Sequence, residues 1–265
     1  MYEEFYNLKE KPFSRTPDPR FLYESPKHAE ALARLQLAAE DQDIVLLTGE
    51  IGSGKTMLSR AFIDGLDTRF YPMLIINPRL TPAQLLHIVA LRLGWETVPH
   101  QRHEVLEGIN AKLYELYEAG RRPIIVIDEA QLIPGKETFE ELRLLTNFQL
   151  DDRNLLAIAL IGQTELRDRL GRKPYRALRQ RIGLQYHLGP LDGEETAAYV
   201  RHRLSVAGRR APLFDEQALE LLYEHSGGIP RRINIIAGNA LIEGFGREAD
   251  MISEEIIMSV VGDEA

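Results

Sequence analysis

The stretch GEIGSGKT, residues Gly49–Thr56, decides the fold of this chain. It matches the pattern G-x-x-x-x-G-K-[ST], whose glycines let the backbone wrap around an anion so that its N–H groups point at phosphate oxygens. A continuous apolar strand over Ile44–Thr48 precedes the stretch, and a helix over Lys55–Leu66 follows it. That helix presents the positive end of its dipole to the same anion. The sequence therefore predicts a phosphate-binding loop between a buried strand and a helix.

Several residues of this loop are candidate nucleotide contacts. Lys55 is expected to reach the β- and γ-phosphates, and the Thr56 hydroxyl is expected to ligate a magnesium ion. Ser53 contributes its backbone and is not a nucleophile, because no Gly-x-Ser-x-Gly context surrounds it. The predicted loop contacts are Gly49, Gly52, Ser53, Gly54, Lys55, Thr56 and Met57.

A second motif places carboxylates at the end of a strand. The branched apolar residues Ile124–Ile127 lead directly into Asp128 and Glu129. Asp128 is expected to hold magnesium through its water shell, and Glu129 is expected to act as a general base on a water that attacks the γ-phosphate. Nothing in the sequence matches the guanine-selecting Asn-Lys-x-Asp motif. The two motifs together therefore predict hydrolysis of ATP with Mg²⁺.

The first two thirds of the chain alternate between apolar strands and helices. Continuous apolar strands separated by helices are typical of a parallel sheet that helices cover on both faces, so the expected fold class is an α/β P-loop NTPase. The expected strands are Ile44–Thr48, Met73–Asn77, Ile124–Asp128, Leu155–Ile161 and Gln185–Leu188. The expected helices are Pro26–Ala39, Lys55–Leu66, Pro82–Leu93, Val105–Ala119 and Phe139–Gln149.

The two ends of the chain differ from this pattern. The first 25 residues are rich in proline and aromatic side chains, which favours an extended arm packed on a domain rather than a helix. Four helices are expected after Asp192 with no strand among them: Glu194–Ala207, Asp215–His225, Arg231–Phe245 and Ser253–Val261. We therefore expect a nucleotide-binding domain over 1–191 and a small all-α lid domain over 192–265.

Composition excludes several classes of protein. The 265 residues are 44% hydrophobic and 27% charged, which is typical of globular domains rather than disordered chains. A net charge of −8 argues against a broadly basic nucleic-acid coat but leaves room for a local basic patch. The acidic N-terminus does not resemble a signal peptide, and the longest apolar run, Leu155–Ile161, is far too short to span a membrane. The expectation is a soluble cytoplasmic protein.

Beyond the two motifs, further residues carry a resemblance to a known family. The chain resembles the AAA+ ATPases and, within them, is similar to the ExeA/GspA-type secretion ATPases. An N-terminal block that other AAA+ families lack is the specific part of this likeness. The residues that carry it are Tyr6–Leu8, Pro12–Phe13, Pro17–Tyr23, His28–Leu35, Leu46–Glu50, Asn77–Pro78, Leu80–Pro82, Asp128–Gln131 and Gly162–Gln163.

The resemblance implies roles for five more residues. Arg181, with Arg179 as the alternative, would be an arginine finger that projects into the neighbouring subunit's site. Arg231 would be the sensor-2 arginine that closes the lid over ATP, and Gln163 would be the sensor-1 residue that orients the attacking water. Asn77 matches the position that holds the catalytic glutamate inactive until a partner binds.

The resemblance also implies assembly and a pathway. An arginine finger acting in trans requires a homo-oligomer, either a ring or a filament. The family is linked to assembly of the type II secretion machinery at the inner membrane, so a protein partner from that system is expected. Longer members add a membrane segment and a peptidoglycan-binding domain. We expect this chain to be an excised ATPase domain or a short member, with no direct membrane insertion and with recruitment through partners.

Two other functions stay open at this point. Similar short ATPases regulate transposition by binding DNA, as in the MuB/TnsC type. The segment from Arg167 to Arg181 holds seven basic residues and a single acid, Asp168, and such a run could track phosphates. A subunit interface or a solvated helix face would explain the same run. A nucleotide-gated scaffold with negligible turnover is the third interpretation, although the presence of Lys55 and Glu129 argues against it.

Overall fold

The computed structural model describes residues 1–14, 16, 18–150 and 153–262. The chain forms two compact units, of which the first comprises Met1–Ala29, Glu50–Met57 and Gly189–Ala265. The second comprises Glu30–Gly49 and Leu58–Leu188. The division into 1–191 and 192–265 stays a prediction.

The second unit is built on a five-stranded parallel sheet. The strands are β1 (Ile44–Gly49), β2 (Phe70–Ile75), β3 (Arg122–Ile127), β4 (Ala157–Gly162) and β5 (Ile182–Leu188). Their order in the sheet is β2-β3-β4-β1-β5, and neighbouring strands run parallel. The predicted fold class is therefore confirmed. The strand predicted over Met73–Asn77 begins three residues earlier than expected, at Phe70, and ends at Ile75. Asn77 therefore belongs to the following loop.

Helices account for most of the remaining described chain. In chain order they are α1 (Tyr2–Phe5), α2 (Pro26–Asp41), α3 (Lys55–Asp64), α4 (Pro82–Arg92), α5 (Arg102–Glu118), α6 (Lys136–Leu145), α7 (Thr164–Leu170), α8 (Arg176–Arg179), α9 (Gly193–Val206), α10 (Glu216–Ser226), α11 (Pro230–Gly246) and α12 (Glu254–Gly262). Single 3₁₀ turns lie at Pro19–Phe21, Ala130–Leu132 and Lys173–Tyr175. Within the described residues, no helix combines the length and the apolar character that a membrane crossing requires.

Two further details of the sequence-based prediction are wrong. The arm is not extended throughout, because Tyr2–Phe5 forms one helical turn. The region between β4 and β5 also contains α7 and α8, which were not expected. Both helices are short and carry several charged residues, so their apolar periodicity is weak.

The apolar runs of the strands supply two cores, one on each face of the sheet. Successive side chains of a strand point to opposite faces, and β1 shows the consequence. Leu46 packs into one core, whereas Val45 and Leu47 pack into the other. A strand buried on both faces needs apolar residues at every position, which is why these strands lack polar alternation.

The first unit has a core of its own, made by the N-terminal arm together with α9–α12. Tyr6, Phe13 and Phe21 belong to this core, and the Tyr6 hydroxyl donates to the Ala249 carbonyl over 3.1 Å. Arg203 is buried beside the arm, where its Nε donates to the Pro12 carbonyl and its guanidinium lies 4.7 Å from the centre of the Phe21 ring. The arm is therefore a structural part of the helical unit.

Truncation of a central strand residue tests the importance of the two-faced sheet. Leu160 in β4 is fully buried, so Leu160→Ala should lower the free energy of unfolding by about 2–5 kcal/mol through lost burial and a residual cavity. Chemical denaturation measures this change. Leu37→Ala, at a half-exposed position of α2, is the matched control and should change stability far less. Equal effects of the two substitutions would contradict the described packing.

Candidate functional site

The phosphate-binding loop has the backbone conformation that its glycines were expected to permit. Gly52 and Gly54 have φ values of 85° and 101°, a region that costs energy for residues with a Cβ. The Glu50 carbonyl accepts the Ser53 N–H over 3.2 Å and the Lys55 ammonium over 2.7 Å. The loop thus turns sharply between the end of β1 and the start of α3.

The start of α11 lies directly against this loop. The Arg231 backbone N–H donates to the Gly52 carbonyl over 3.2 Å. A Cβ built on Gly52 would lie 2.6 Å from the Arg231 Cβ, so only glycine fits at this position. The structure therefore brings Arg231, the predicted lid arginine, together with the predicted phosphate loop.

His28 also braces the loop, a role the sequence analysis did not assign to it. Its ring is buried, with Nδ1 2.9 Å from the Ser25 hydroxyl and Nε2 3.3 Å from the Ser53 carbonyl. We assign the proton to Nε2, because the carbonyl can only accept and the Ser25 hydroxyl can donate to Nδ1. A Cβ on Gly54 would lie 3.1 Å from Nε2. His28 belongs to the N-terminal block His28–Leu35 that carries the family resemblance. Its contact with Ser53, however, depends on the folded structure and not on the local sequence.

Burial gives this histidine a definite charge state. Desolvation lowers the pKa of His28 below its ordinary value, and the hydrogen bond to the Ser53 carbonyl only partly offsets that effect. The neutral ring therefore predominates near neutral pH.

The loop fits a phosphate chain, and the predicted metal ligands fit magnesium. The Ser53 hydroxyl is buried and has no hydrogen-bond partner among the described residues, so it can donate to an anion that occupies the loop. Thr56 lies half-buried in the first turn of α3, as does Met57. The Thr56 hydroxyl and the Asp128 carboxylate are hard oxygen donors of the kind that Mg²⁺ prefers.

The second unit carries the predicted carboxylates. In a parallel sheet the carboxyl ends of the strands share one edge. Asp128 follows β3 at that edge. Its backbone N–H donates to the Ile75 carbonyl over 3.0 Å. Asp128 is buried, and its Oδ1 accepts the Glu129 backbone N–H over 2.9 Å. Glu129 has a left-handed backbone with φ 54°. This conformation changes the direction of the backbone immediately after the strand.

Two glutamines hold the Glu129 carboxylate. Glu129 Oε2 accepts Nε2–H of Gln131 over 2.5 Å and Nε2–H of Gln163 over 3.3 Å. Gln163 is the N-cap residue of α7, immediately after β4. Its side chain makes no cap hydrogen bond and instead contacts the predicted general base. Asn77 is exposed in the loop after β2 and makes no hydrogen bond to Glu129 in the described structure. Its proposed control of Glu129 stays a prediction.

The candidate finger arginines lie on the exposed surface. Arg181 donates to the Asn147 side-chain carbonyl over 2.7 Å, and Arg179 donates to the Gly171 carbonyl over 2.8 Å. Arg169 differs from the rest of its basic run, because it is half-buried and bonded to the Ile133 and Pro134 carbonyls. The exposed members of the run are Arg167, Arg172, Lys173, Arg176, Arg179 and Arg181.

The parallel sheet, the glycine loop and the strand-end carboxylates are each features of P-loop proteins of the AAA class. The chain belongs to the AAA domain family, whose model matches residues 38–170. It is similar to general secretion pathway protein A of Aeromonas hydrophila, with 43% identity over 258 residues. That match covers 95% of this chain and 46% of the relative, so the chain spans about half the length of the curated relative. The resemblance to the ExeA/GspA type is thereby confirmed.

Solved structures show the same fold at low sequence identity. The ORC2 protein of Aeropyrum pernix aligns with a TM-score of 0.68 and 20% identity, covering 96% of this chain and 72% of that one. Drosophila ORC bound to DNA gives 0.67 and 17%, covering 99% and 65%. The Thermotoga maritima RuvB Holliday junction branch migration motor gives 0.58 and 20%, covering 91% and 69%. These likenesses support the fold alone.

The buried His28 predicts a pH dependence of stability. A histidine whose pKa is lowered on folding binds fewer protons in the folded state, so its contribution to stability falls as the pH drops below the unfolded value of about 6.5. Denaturation between pH 7 and 5 should show a shallower loss of stability for His28→Asn than for the wild type. His100→Asn, at an exposed loop position, is the control. An unchanged slope in His28→Asn would refute this assignment.

Proposed function

We propose that this protein hydrolyses ATP and that, as a homo-oligomer, it couples ATP binding and hydrolysis to assembly of a secretion-type machinery. One observation carries the enzymatic part. Glu129 follows the buried Asp128 at the carboxyl edge of the sheet, and two side-chain amides hold its carboxylate. A scaffold that only binds nucleotide would not need a carboxylate fixed in this way.

The residues divide the chemistry among them. The loop N–H groups and Lys55 bind the phosphates, and Arg231 contacts them from the start of α11. Thr56 and Asp128 would hold Mg²⁺, which would neutralise the charge that develops on the phosphates. Glu129 takes a proton from the attacking water, a step that typically contributes about 10²–10⁴-fold, and Gln163 orients that water.

Exposure of the basic segment supports an oligomer. An arginine that reaches a γ-phosphate in trans is worth about 10³–10⁵ in rate, and it must be exposed in the isolated subunit. Arg181 meets that condition, as does Arg179. The neighbouring exposed cations would face the anionic nucleotide site of the next subunit, which gives the exposed members of the run a single explanation.

The similarity to general secretion pathway protein A supports the pathway. We propose recruitment of this chain to an envelope assembly through a protein partner. DNA binding has weaker support, because it rests on the exposed cations alone and Arg169 is engaged inside the fold.

Replacement of the general base tests the enzymatic proposal. Glu129→Gln should keep nucleotide affinity, because the loop is untouched, but should lose turnover by about 10²-fold or more. The variant should also accumulate as an ATP-bound oligomer. Phosphate release, nucleotide titration and light scattering measure these three properties. Wild-type turnover in a folded Glu129→Gln protein would remove Glu129 from the mechanism.

Lys55→Ala is the companion variant, and it should weaken nucleotide binding itself. The side chain supplies the cation of the phosphate loop, so the loss should appear in direct titration and not only in turnover. Lys11→Ala, at an exposed position of the N-terminal arm, is the matched control. Undiminished affinity in Lys55→Ala would argue against a nucleotide site at this loop.

Mixing of inactive subunits tests action in trans. Arg181→Ala and Glu129→Gln proteins should each be inactive, yet a mixture should regain part of the activity, because some interfaces pair an intact finger with an intact base. Arg179→Ala mixed with Glu129→Gln tests the alternative finger. Absence of rescue in co-assembled, folded proteins would contradict a shared site.

A further inference from the structure

The side chain of Gln131 bridges the ends of two strands. Its Nε2–H donates to Glu129 Oε2 over 2.5 Å, and its Oε1 accepts the Gln163 backbone N–H over 3.1 Å. Glu129 lies just after β3 and Gln163 just after β4. One amide group therefore joins the candidate general base to the backbone that begins α7.

We propose that Gln131 is the positioning residue that fixes the Glu129 carboxylate for proton abstraction, and that Arg169 anchors Gln131. The inference rests on the proposed ATPase function of Glu129. It assigns no contact with nucleotide to either Gln131 or Arg169, so neither is a catalytic residue.

Glu129 requires such a support because its backbone is strained. A left-handed conformation is unfavourable for a residue with a Cβ, and φ is 54° here. Both glutamine amides donate to the same oxygen, Oε2. No described residue donates a hydrogen bond to Oε1, which leaves that oxygen to take the proton from water.

Gly162 makes room for the bridge. A Cβ at this position would lie 2.7 Å from Gln131 Oε1 and 2.7 Å from Leu166 Cδ2. Glycine at the end of β4 therefore lets the amide reach the Gln163 N–H. The bridge and the Leu166 side chain both occupy the space that a side chain at this position would need.

Arg169 fixes the segment that carries Gln131. Its guanidinium donates to the Ile133 carbonyl over 2.5 Å and to the Pro134 carbonyl over 3.0 Å, just beyond the 3₁₀ turn Ala130–Leu132. The same group lies 5.0 Å from the centre of the Phe139 ring and 5.3 Å from that of Tyr175. It also donates to the Tyr175 hydroxyl over 2.9 Å. Arg169 thus has a structural role in a run otherwise exposed.

Two substitutions at Gln131 separate the halves of the bridge. Gln131→Leu removes both hydrogen bonds, whereas Gln131→Glu keeps an oxygen for the Gln163 N–H and removes the donor to Glu129. Both should lower kcat by about 10–100-fold, by analogy with residues that orient metal ligands, while KM and nucleotide affinity stay unchanged. Arg169→Met should lower kcat in the same direction. Gln36→Leu and Arg92→Met, at exposed positions, are the matched controls.

A readout without turnover checks the geometry itself. In the nucleotide-free protein, amide hydrogen exchange at Gln163 should accelerate in Gln131→Leu and stay slow in Gln131→Glu. Adding Gln131→Leu to Glu129→Gln should cause no further loss of activity, because the two residues act as one unit. Full kcat, or unchanged exchange at Gln163, in a folded Gln131→Leu protein would overturn the proposal.

Glu129→Gln is measured alongside as a reference. If Glu129→Gln retains turnover, the proposed function fails. If Glu129→Gln loses turnover and Gln131→Leu does not, only the positioning role fails. Melting temperatures are recorded for every variant, and Gln131→Glu replaces Gln131→Leu as the deciding variant if the latter unfolds.

Discussion

The parallel pairing of the five strands is the constraint on which the rest of the structure depends. A parallel sheet is buried on both faces, so its strands have no room for polar side chains along their length. Polar chemistry is therefore confined to the strand ends. Because all strands run the same way, the carboxyl ends of β1, β3 and β4 lie at one edge. Asp128, Glu129 and Gln163 are close together for this reason.

The sequence was sufficient to predict the features that depend on local pattern. The glycine loop and the apolar strands follow from residue order alone, because each is defined by neighbours in the chain. The edge strand β2 was placed too late because it contains Pro72. Proline is tolerated at a sheet edge, where no ladder hydrogen bond is lost. In the sequence, however, a proline indicates a break, so the start of the strand was placed after it.

The bracing contacts could not be predicted, because they join residues distant in sequence. His28 reaches the Ser53 carbonyl, and Gln131 reaches the Gln163 N–H. Both residues lie in motifs that the sequence analysis identified, yet only the fold supplies their partners. The same holds for Arg169. In the sequence it belongs to a run of basic residues, but in the fold its side chain is half-buried while the others are exposed. The net charge of the chain does not distinguish the half-buried cation from the exposed ones.

The N-terminal arm has a consequence for the order in which the protein folds during synthesis. The residues of the sheet unit, 30–49 and 58–188, are all available before the last quarter of the chain has been made. Tyr6, in contrast, pairs with Ala249, 243 positions later. The helical unit must therefore wait for the end of synthesis, with Phe13 and Phe21 exposed meanwhile. The ribosome-bound chain carries these aromatic side chains as a vulnerable segment that a chaperone could shield.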